Sequence, residues 1–468
     1  MFTNKNLRDL IFPLIIEQFL AVFVGMMDTL MISAAGEAAV SGVSLVDNVM
    51  ILMIGFFAAL GTGGAVVAGF SIGRKDLDTA CKSAEQMVLL VTESSLLIMA
   101  VLYLIRPFIL HRVFGSITAD VERNANIYFM IVTASVPFIA LYNGAAALFR
   151  TMGNSSIAMK TSVLMNAVNV TGNAIMVYGL HMGAAGVAWP TLISRAVSAV
   201  VITVLLTKQT YPVHLRRGMS LKPDFSMIRR ILHIGIPNGL ENSIFQLGKL
   251  LVLSLVSTFG TAAIAANAVS GSIANFENIP GLAIGMAMVT VVSQCVGTGD
   301  YEHVRRYIRK LMWVCYAAMW VTILIIVLTL PYLVKVYNLS PEAAGYTRQI
   351  ILYHSICDAI FWQPSFTLPN ALRAAGDVNF TMIVSLVSMW TFRIIMSYVL
   401  GSWLGMGVFG VWVAMTIDWL FRAAAFIWRY RGHKWDNQKV CIRNYPSLLV
   451  MYLQSVDLPI FSCLAAAL

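Results

Sequence analysis

The sequence predicts an all-α polytopic membrane protein, with twelve transmembrane helices in two pseudo-symmetric six-helix lobes around a central cavity. Three observations carry that expectation. Of 468 residues, 59% are hydrophobic and only 12% charged, whereas a soluble chain is about half apolar and about a quarter charged. Apolar runs of about 20 residues, each able to span the hydrocarbon core as a helix, recur along nearly the whole chain. The two halves also align with each other at an offset of 224 residues. This composition excludes a soluble enzyme, a secreted disulfide scaffold and a disordered chain.

Apolar runs bounded by charged or Gly/Pro/Asn clusters set the spans at 8–33, 43–72, 83–107, 125–149, 157–180 and 185–207, then 231–257, 266–297, 307–331, 346–372, 379–403 and 407–430. The polar start Met1–Asp9 and the long first run argue against a cleavable signal peptide. The expected organisation is an amino-terminal lobe (1–207), a basic linker (208–230), a carboxy-terminal lobe (231–432) and a tail (433–468). In the tail, Asp457 and Pro459 interrupt the apolar stretch Ser447–Leu468. That favours an interfacial or poorly ordered segment over a thirteenth helix.

Twelve spans put both termini on one side, and the basic residues say which. Of 32 Lys and Arg, 23 lie at the N-terminus, in the even-to-odd loops or after the last span. Five flank the other side, and four (Arg195, Lys249, Arg393, Arg422) sit within spans. The positive-inside rule therefore places both termini in the cytoplasm of a plasma-membrane (cell inner membrane) protein. The net charge of +10 is then a topology signal, and no nucleic-acid partner is expected. The six Cys have neither CxxC nor metal-ligand spacing and read as unpaired apolar residues.

The repeat rests on polar and special residues in register. At offset 224, Pro13 meets Pro237, Glu17 meets Glu241, Gly36 meets Gly260, Gly61 meets Gly285, Gly73 meets Gly297 and Asp76 meets Asp300. Arg150 and Gly153 meet Arg373 and Gly376 one residue short. Halves with an even number of spans are parallel repeats, related by an axis along the membrane normal. Such repeats enclose a cavity that rocking exposes alternately to each side. A duplicated scaffold without transport is the alternative.

Ionisable groups within a bilayer mark pathways or ion sites. Glu17 and Asp28 are 11 residues apart, about 20° apart on one helix face and roughly 16 Å apart in depth. Glu17 could instead sit at the cytoplasmic interface near Lys5 and Arg8. In the fifth span, Asn166, Asn169 and Asn173 share a face. Their amide oxygens suit a small hard cation beside a carboxylate, or they bond between helices. The second half holds Glu241, Glu277, Asp358 and Asp418. Asp418 reads as a partner of Arg422 at i+4, and His354 as a helix histidine one turn before Asp358. Gly69–Lys75 lacks the spacing and hydroxyl of a phosphate-binding loop, and no hydrolytic or redox motif appears. The chain is therefore not read as an enzyme; an ion gradient supplies the energy, and no cofactor is expected beyond that coupling ion. Abundant Met and aromatic residues suit a polyspecific pocket, or lipid-facing packing.

Three segments resemble the multidrug and toxic compound extrusion (MATE) transporters. They are Pro13…Met26-Met27-Asp28-Thr29, then Gly61-Thr62-Gly63-Gly64…Gly73-Arg74-Lys75-Asp76, and Pro369-Asn370…Arg373…Gly376-Asp377. The likeness covers about residues 1–435. It implies a monomeric two-lobed antiporter that exports small organic cations, such as drugs, against inward Na⁺ or H⁺. Carried over by residue, the coupling-ion site of the amino lobe corresponds to Asp28, Asn169, Asn173 and Thr191. Asp28, Asn169 and Asn173 would be the Na⁺ ligands. Part of the family has Asp where this chain has Asn173, which leaves Na⁺ versus H⁺ open. Asp358 resembles the tenth-helix acid of another branch, whose seventh-helix acid would fall near Phe245–Gln246, whereas the acid here is Glu241. Glu17, Glu241 and Asp358 are thus secondary candidates. The competing expectation is a flippase for a lipid-linked precursor, which calls for a basic central cavity; the embedded Arg195, Lys249 and Arg393 keep it open.

Overall fold

The computed structural model describes residues 2–115, 117–216, 222–337 and 339–436. It is helical in every expected span, with no strand among the described residues. The first lobe contains α1 (Asn4–Ser33), α2 (Glu37–Gly73), α3 (Leu77–Phe108, continuing into π-helical Ile109–Val113) and α4 (Ala119–Thr133 and Val136–Thr151). It is completed by α5 (Ser155–Asn173, then π-helical Ala174–Gly179) and α6 (Ala184–Leu206). The second lobe runs α7 (Phe225–Ser257), α8 (Thr261–Glu277 and Ile279–Gly297) and α9 (Tyr301–Val336). It continues as α10 (Pro341–Cys357, π-helical Asp358–Thr367, Leu368–Ala374), α11 (Val378–Ser388, Met389–Ile395, Tyr398–Trp403) and α12 (Gly407–Arg431).

Among the described residues nine helices are long and apolar enough to cross a membrane, and the two segments of α4, bent by 47°, make a tenth span. The other two, α5 and α10, are of similar length but carry the polar side chains considered below. Two expected continuous spans are broken. Pro137 and Pro280 stand at the first turns of the second segments of α4 and α8, where a missing N–H and a fixed φ start a helix and interrupt one already running. Helices α7 and α9 begin at Phe225 and Tyr301, six residues before the expected 231 and 307. Their second turns carry Arg229 and Arg230, or Arg305 and Arg306, and such basic turns stand outside the apolar layer. The tail beyond 436 lies outside the described residues.

The repeat is written into the backbone. Gly36 and Gly260 open α2 and α8 at φ 95°, ψ 165° and φ 94°, ψ 172°, a region that only glycine enters without strain. The π-helical turns Ala174–Gly179 and Tyr398–Trp403 are also 224 residues apart. Asp76 and Asp300 cap α3 and α9, each accepting a backbone N–H, of Thr79 and His303 respectively, at 3.0 Å. Hydrogen bonds from the side chain and backbone of Thr79 to Asp76, and from the backbone and side chain of His303 to Asp300, hold both carboxyls below their ordinary value. Pro13 removes one bond of α1, and Ser155 at the start of α5 compensates by donating to the Leu10 carbonyl (2.6 Å) and the Asp9 carbonyl (3.4 Å).

The lobes meet where α2 packs against α7 and α8, and α1 against α8. A Cβ on Gly73 would collide with the Gln294 carbonyl and one on Gly297 with the Phe70 carbonyl, and the Gly73 Cβ would also stand 3.1 Å from the Gly297 Cα. Gly73 and Gly297 are repeat equivalents, and equivalent residues can touch only beside the axis that relates them. The pseudo-two-fold axis therefore passes between the ends of α2 and α8, next to the basic loops. The linker is pinned to α3 by Arg216 on Glu85 (2.9 Å) and by the Lys82–Asp224 pair. On the outside, Trp313, Trp320, Val321, Leu324 and Leu328 of α9 are exposed, as expected of side chains facing lipid tails.

Candidate functional site

In the amino lobe, four predicted residues converge from three helices. Asn173 of α5 donates through Nδ2 to Asp28 Oδ1 of α1 at 2.7 Å and to Asn169 Oδ1 at 3.3 Å. Asn169 Nδ2 donates to Thr191 Oγ1 of α6 at 3.2 Å, and that hydroxyl donates to the Val187 carbonyl at 2.8 Å. Asn169 and Asn173 meet because a spacing of four puts them one turn apart. Asn169, Asn173 and Thr191 are buried and Asp28 is half-buried. Asn173 Oδ1 is buried without a hydrogen-bond partner, so one neutral oxygen stands ready beside the carboxylate. Asn166, on the same face, does not join this chain, and its Nδ2 is also unpartnered. Asn173 is the last residue before a π-helical turn, a feature frequent at functional sites.

Asp28 is not the only charge there. Asp47 of α2 and Arg195 of α6 act on it electrostatically. Asp47 accepts from the Tyr128 hydroxyl at 2.8 Å, and Arg195 donates to Ser135 Oγ at 2.8 Å. Sequence reading missed Asp47. The available signal was a lone carboxylate, between Val46 and Asn48, inside an apolar run.

Glu17 is neither part of that site nor free at the interface. Its Oε1 accepts from Arg150 Nη1 at 2.9 Å. Its repeat mate Glu241 accepts from Arg373 Nη2 at 2.6 Å, and Arg422 Nη2 stands 3.5 Å from the same oxygen. The equivalent ion pairs across the two lobes are structural ties. The expected i+4 pair of Asp418 and Arg422 does not form. Asp418 instead accepts from Ser388 and has Arg393 at 3.9 Å, while Arg422 turns to Glu241.

Asp358 does not meet Glu241 either. It is buried at the first π-helical turn of α10 with both oxygens unpartnered, and Glu277 is the charge acting on it. Glu277 accepts from Ser355 at 2.6 Å and contacts His354 Nδ1 at 2.8 Å. His354 is thus a satisfied helix histidine, edge-on to Trp412 and Trp419 with centroids at 5.2 Å. Between the lobes lies a cavity of about 750 Å³. It is lined from α2 and α4 on one side and mainly from α7, α8, α10 and α12 on the other.

The MatE family model matches this chain twice, over residues 13–175 and 237–399. The chain belongs to the MatE family. The two matches start and end 224 residues apart, the offset at which the halves align. A probable multidrug resistance protein NorM of Thermotoga maritima is 25% identical over 446 residues, covering 94% of this chain and 95% of its own. Two solved structures show the same fold. A MOP superfamily transporter from Pyrococcus furiosus, described as having a binding pocket of reverse polarity that suggests a different function, superposes with a TM-score of 0.85. That match has 20% identity and covers 92% of this chain and 96% of the other. A MATE crystal structure in a bent conformation gives 0.84 at 20% identity over 93% and 96%. The chain is a multi-pass membrane protein of a multidrug efflux transporter family.

Proposed function

We propose that this MatE-family chain is a monomeric secondary active antiporter. It exports an amphiphilic organic solute in exchange for Na⁺ or H⁺, with both termini and the 208–230 linker in the cytoplasm. What carries the reading is the unbroken run of side chains from Asp28 through Asn173 and Asn169 to Thr191. A carboxylate with amide and hydroxyl oxygens suits Na⁺, and the same carboxylate takes a proton, so the two ions compete for one position. Loading at Asp28 favours one arrangement of α1 against α5 and α6. Only a ligand with unequal affinity for two states can move their populations, and Asp28 supplies that inequality. Rocking about the Gly73–Gly297 contact then exposes the cavity alternately to each side. In the state described here the lobes are closed beside the basic loops.

The flippase alternative is not favoured. The cavity is basic, as that alternative requires, but family membership points to multidrug efflux. The test is gradient-driven flux in proteoliposomes under an imposed Na⁺ or pH gradient. Asp28→Asn keeps shape and removes charge, so it should fold and give no gradient-driven export. Native-level export by well-folded Asp28→Asn would refute the assignment and make the Glu277–Asp358 cluster the leading coupling site.

A further inference from the structure

The walls of the central cavity carry an uneven set of charges. Arg150, Lys249, Arg373, Arg393 and Arg422 line it, with Glu241 as the only carboxylate among the lining residues. Three carboxylates pair with these cations. Glu17 meets Arg150, Glu241 is shared by Arg373 and Arg422, and Asp418 lies 3.9 Å from Arg393. Two positive charges are left over. Lys249 has no carboxylate within 4.0 Å among the described residues, while the nearby charge acting on it is Arg393.

These cations converge on one ring. Lys249 Nζ and Arg393 Cζ each lie 5.1 Å from the centroid of Phe245, and Arg422 Cζ lies 5.9 Å from it. The aromatic face offsets part of their repulsion but supplies no counter-charge. Arg393 Nε and Asp418 Oδ2 are buried without hydrogen-bond partners, so the one carboxylate of this corner does not satisfy its arginine. The Lys249 side chain opens into the cavity. An intramembrane cation facing a cavity, short of a partner, marks a substrate path. In the same cavity Trp362, Phe366, Trp412 and Trp419 supply flat apolar walls. An organic cation would find as counter-charge only Glu241, already held by two guanidinium groups. Asp28 and Asp47 do not line this cavity.

Resting on the antiport reading above, we infer that the cavity takes an organic anion. The solute has an aromatic body among the tryptophans and a carboxylate or sulfonate held between Lys249 and Arg393 beside Phe245. This reverses the charge expected from the family resemblance. One-for-one exchange of such an anion for an incoming cation carries two positive charges inward, so an inside-negative potential drives both fluxes.

Equilibrium binding without any gradient tests the substrate class separately from antiport. The protein in phosphatidylcholine nanodiscs is titrated with carboxyfluorescein and, separately, with ethidium. Carboxyfluorescein should bind, with affinity falling as salt rises. Lys249→Gln should weaken it at least tenfold, and Lys249→Arg should restore it to near the native value. Because this binding is read with no gradient applied, it stands or fails whether or not Asp28→Asn abolishes flux, so loss of antiport and loss of anion binding are read apart. Ethidium binding with no carboxyfluorescein binding, or an unchanged affinity in folded Lys249→Gln, would overturn the inference. Displacement of the dye when phosphatidylglycerol is added to the nanodiscs would also overturn it, by assigning the site to a lipid headgroup.

Discussion

Glu17 and Glu241 stand at equivalent depths of α1 and α7, and each holds the arginine that the repeat sets opposite it. The equivalence was legible in the sequence; the pairing was not, because the partners are 133 and 132 residues apart. No helical periodicity links such distant positions. The amino-lobe quartet was more legible, since Asn169 and Asn173 share a face by spacing alone and Asp28 is a carboxylate inside a span, whereas Thr191 came only through family resemblance. Asp47 was overlooked although it stands as a lone carboxylate inside an apolar run; its partner Tyr128 comes from another helix. Removing one member of a buried ion pair leaves an uncompensated charge, at a cost of about 3–5 kcal/mol. Glu17→Gln strands one arginine, whereas Glu241→Gln strands Arg373 and also removes one of the two carboxylates acting on Arg422, the other being Asp418. Thermal unfolding of the solubilised protein should therefore drop for both variants, and further for Glu241→Gln. Equal losses would show that Arg422 does not depend on Glu241.

At the scale of elements, the twelve spans were readable because a bilayer demands about 20 apolar residues in unbroken helix. Their breaks were less so. Pro137 and Pro280 interrupt helices that hydropathy alone joins, while Pro13 and its repeat mate Pro237 sit inside continuous helices. Ser155 donates to the Asp9 carbonyl that Pro13 frees, a contact from a neighbouring helix that no local pattern reveals. The glycines at the lobe junction are similar: Gly73 and Gly297 were visible as a repeat pair, and only packing shows them touching. Gly73→Val would force a side chain into the Gln294 carbonyl. Overpacking of this kind costs about 1–3 kcal/mol, and here it props the lobes apart beside the basic loops. Gradient-driven flux should fall sharply in Gly73→Val. Gly179→Ala, where an added Cβ meets nothing within 4 Å, should keep native flux. Native flux in Gly73→Val would remove this contact from the transport cycle.

For the whole molecule, duplication is the fact from which the rest follows. Two parallel six-helix lobes give an axis along the membrane normal, a cavity on that axis and two mirrored ion-pair ties. Divergence between the lobes then supplies function. The amino lobe keeps Asp28 and its amide partners, and the carboxy lobe gathers Lys249, Arg393 and Arg422 around Phe245. Sequence reading found those basic residues inside spans but could not tell which faced a common space, since that depends on how α7, α11 and α12 pack. The central claim is that an ion at Asp28 shifts the lobes between two arrangements. Spin labels at Leu180→Cys and Leu404→Cys, exposed repeat equivalents between α5 and α6 and between α11 and α12, report the separation of the lobes at the ends away from the basic loops. Pulsed dipolar spectroscopy in a cysteine-free background should show the distance distribution shifting when Na⁺ or protons are withdrawn. The account predicts no shift once Asp28→Asn is introduced; an undiminished shift in Asp28→Asn would contradict it.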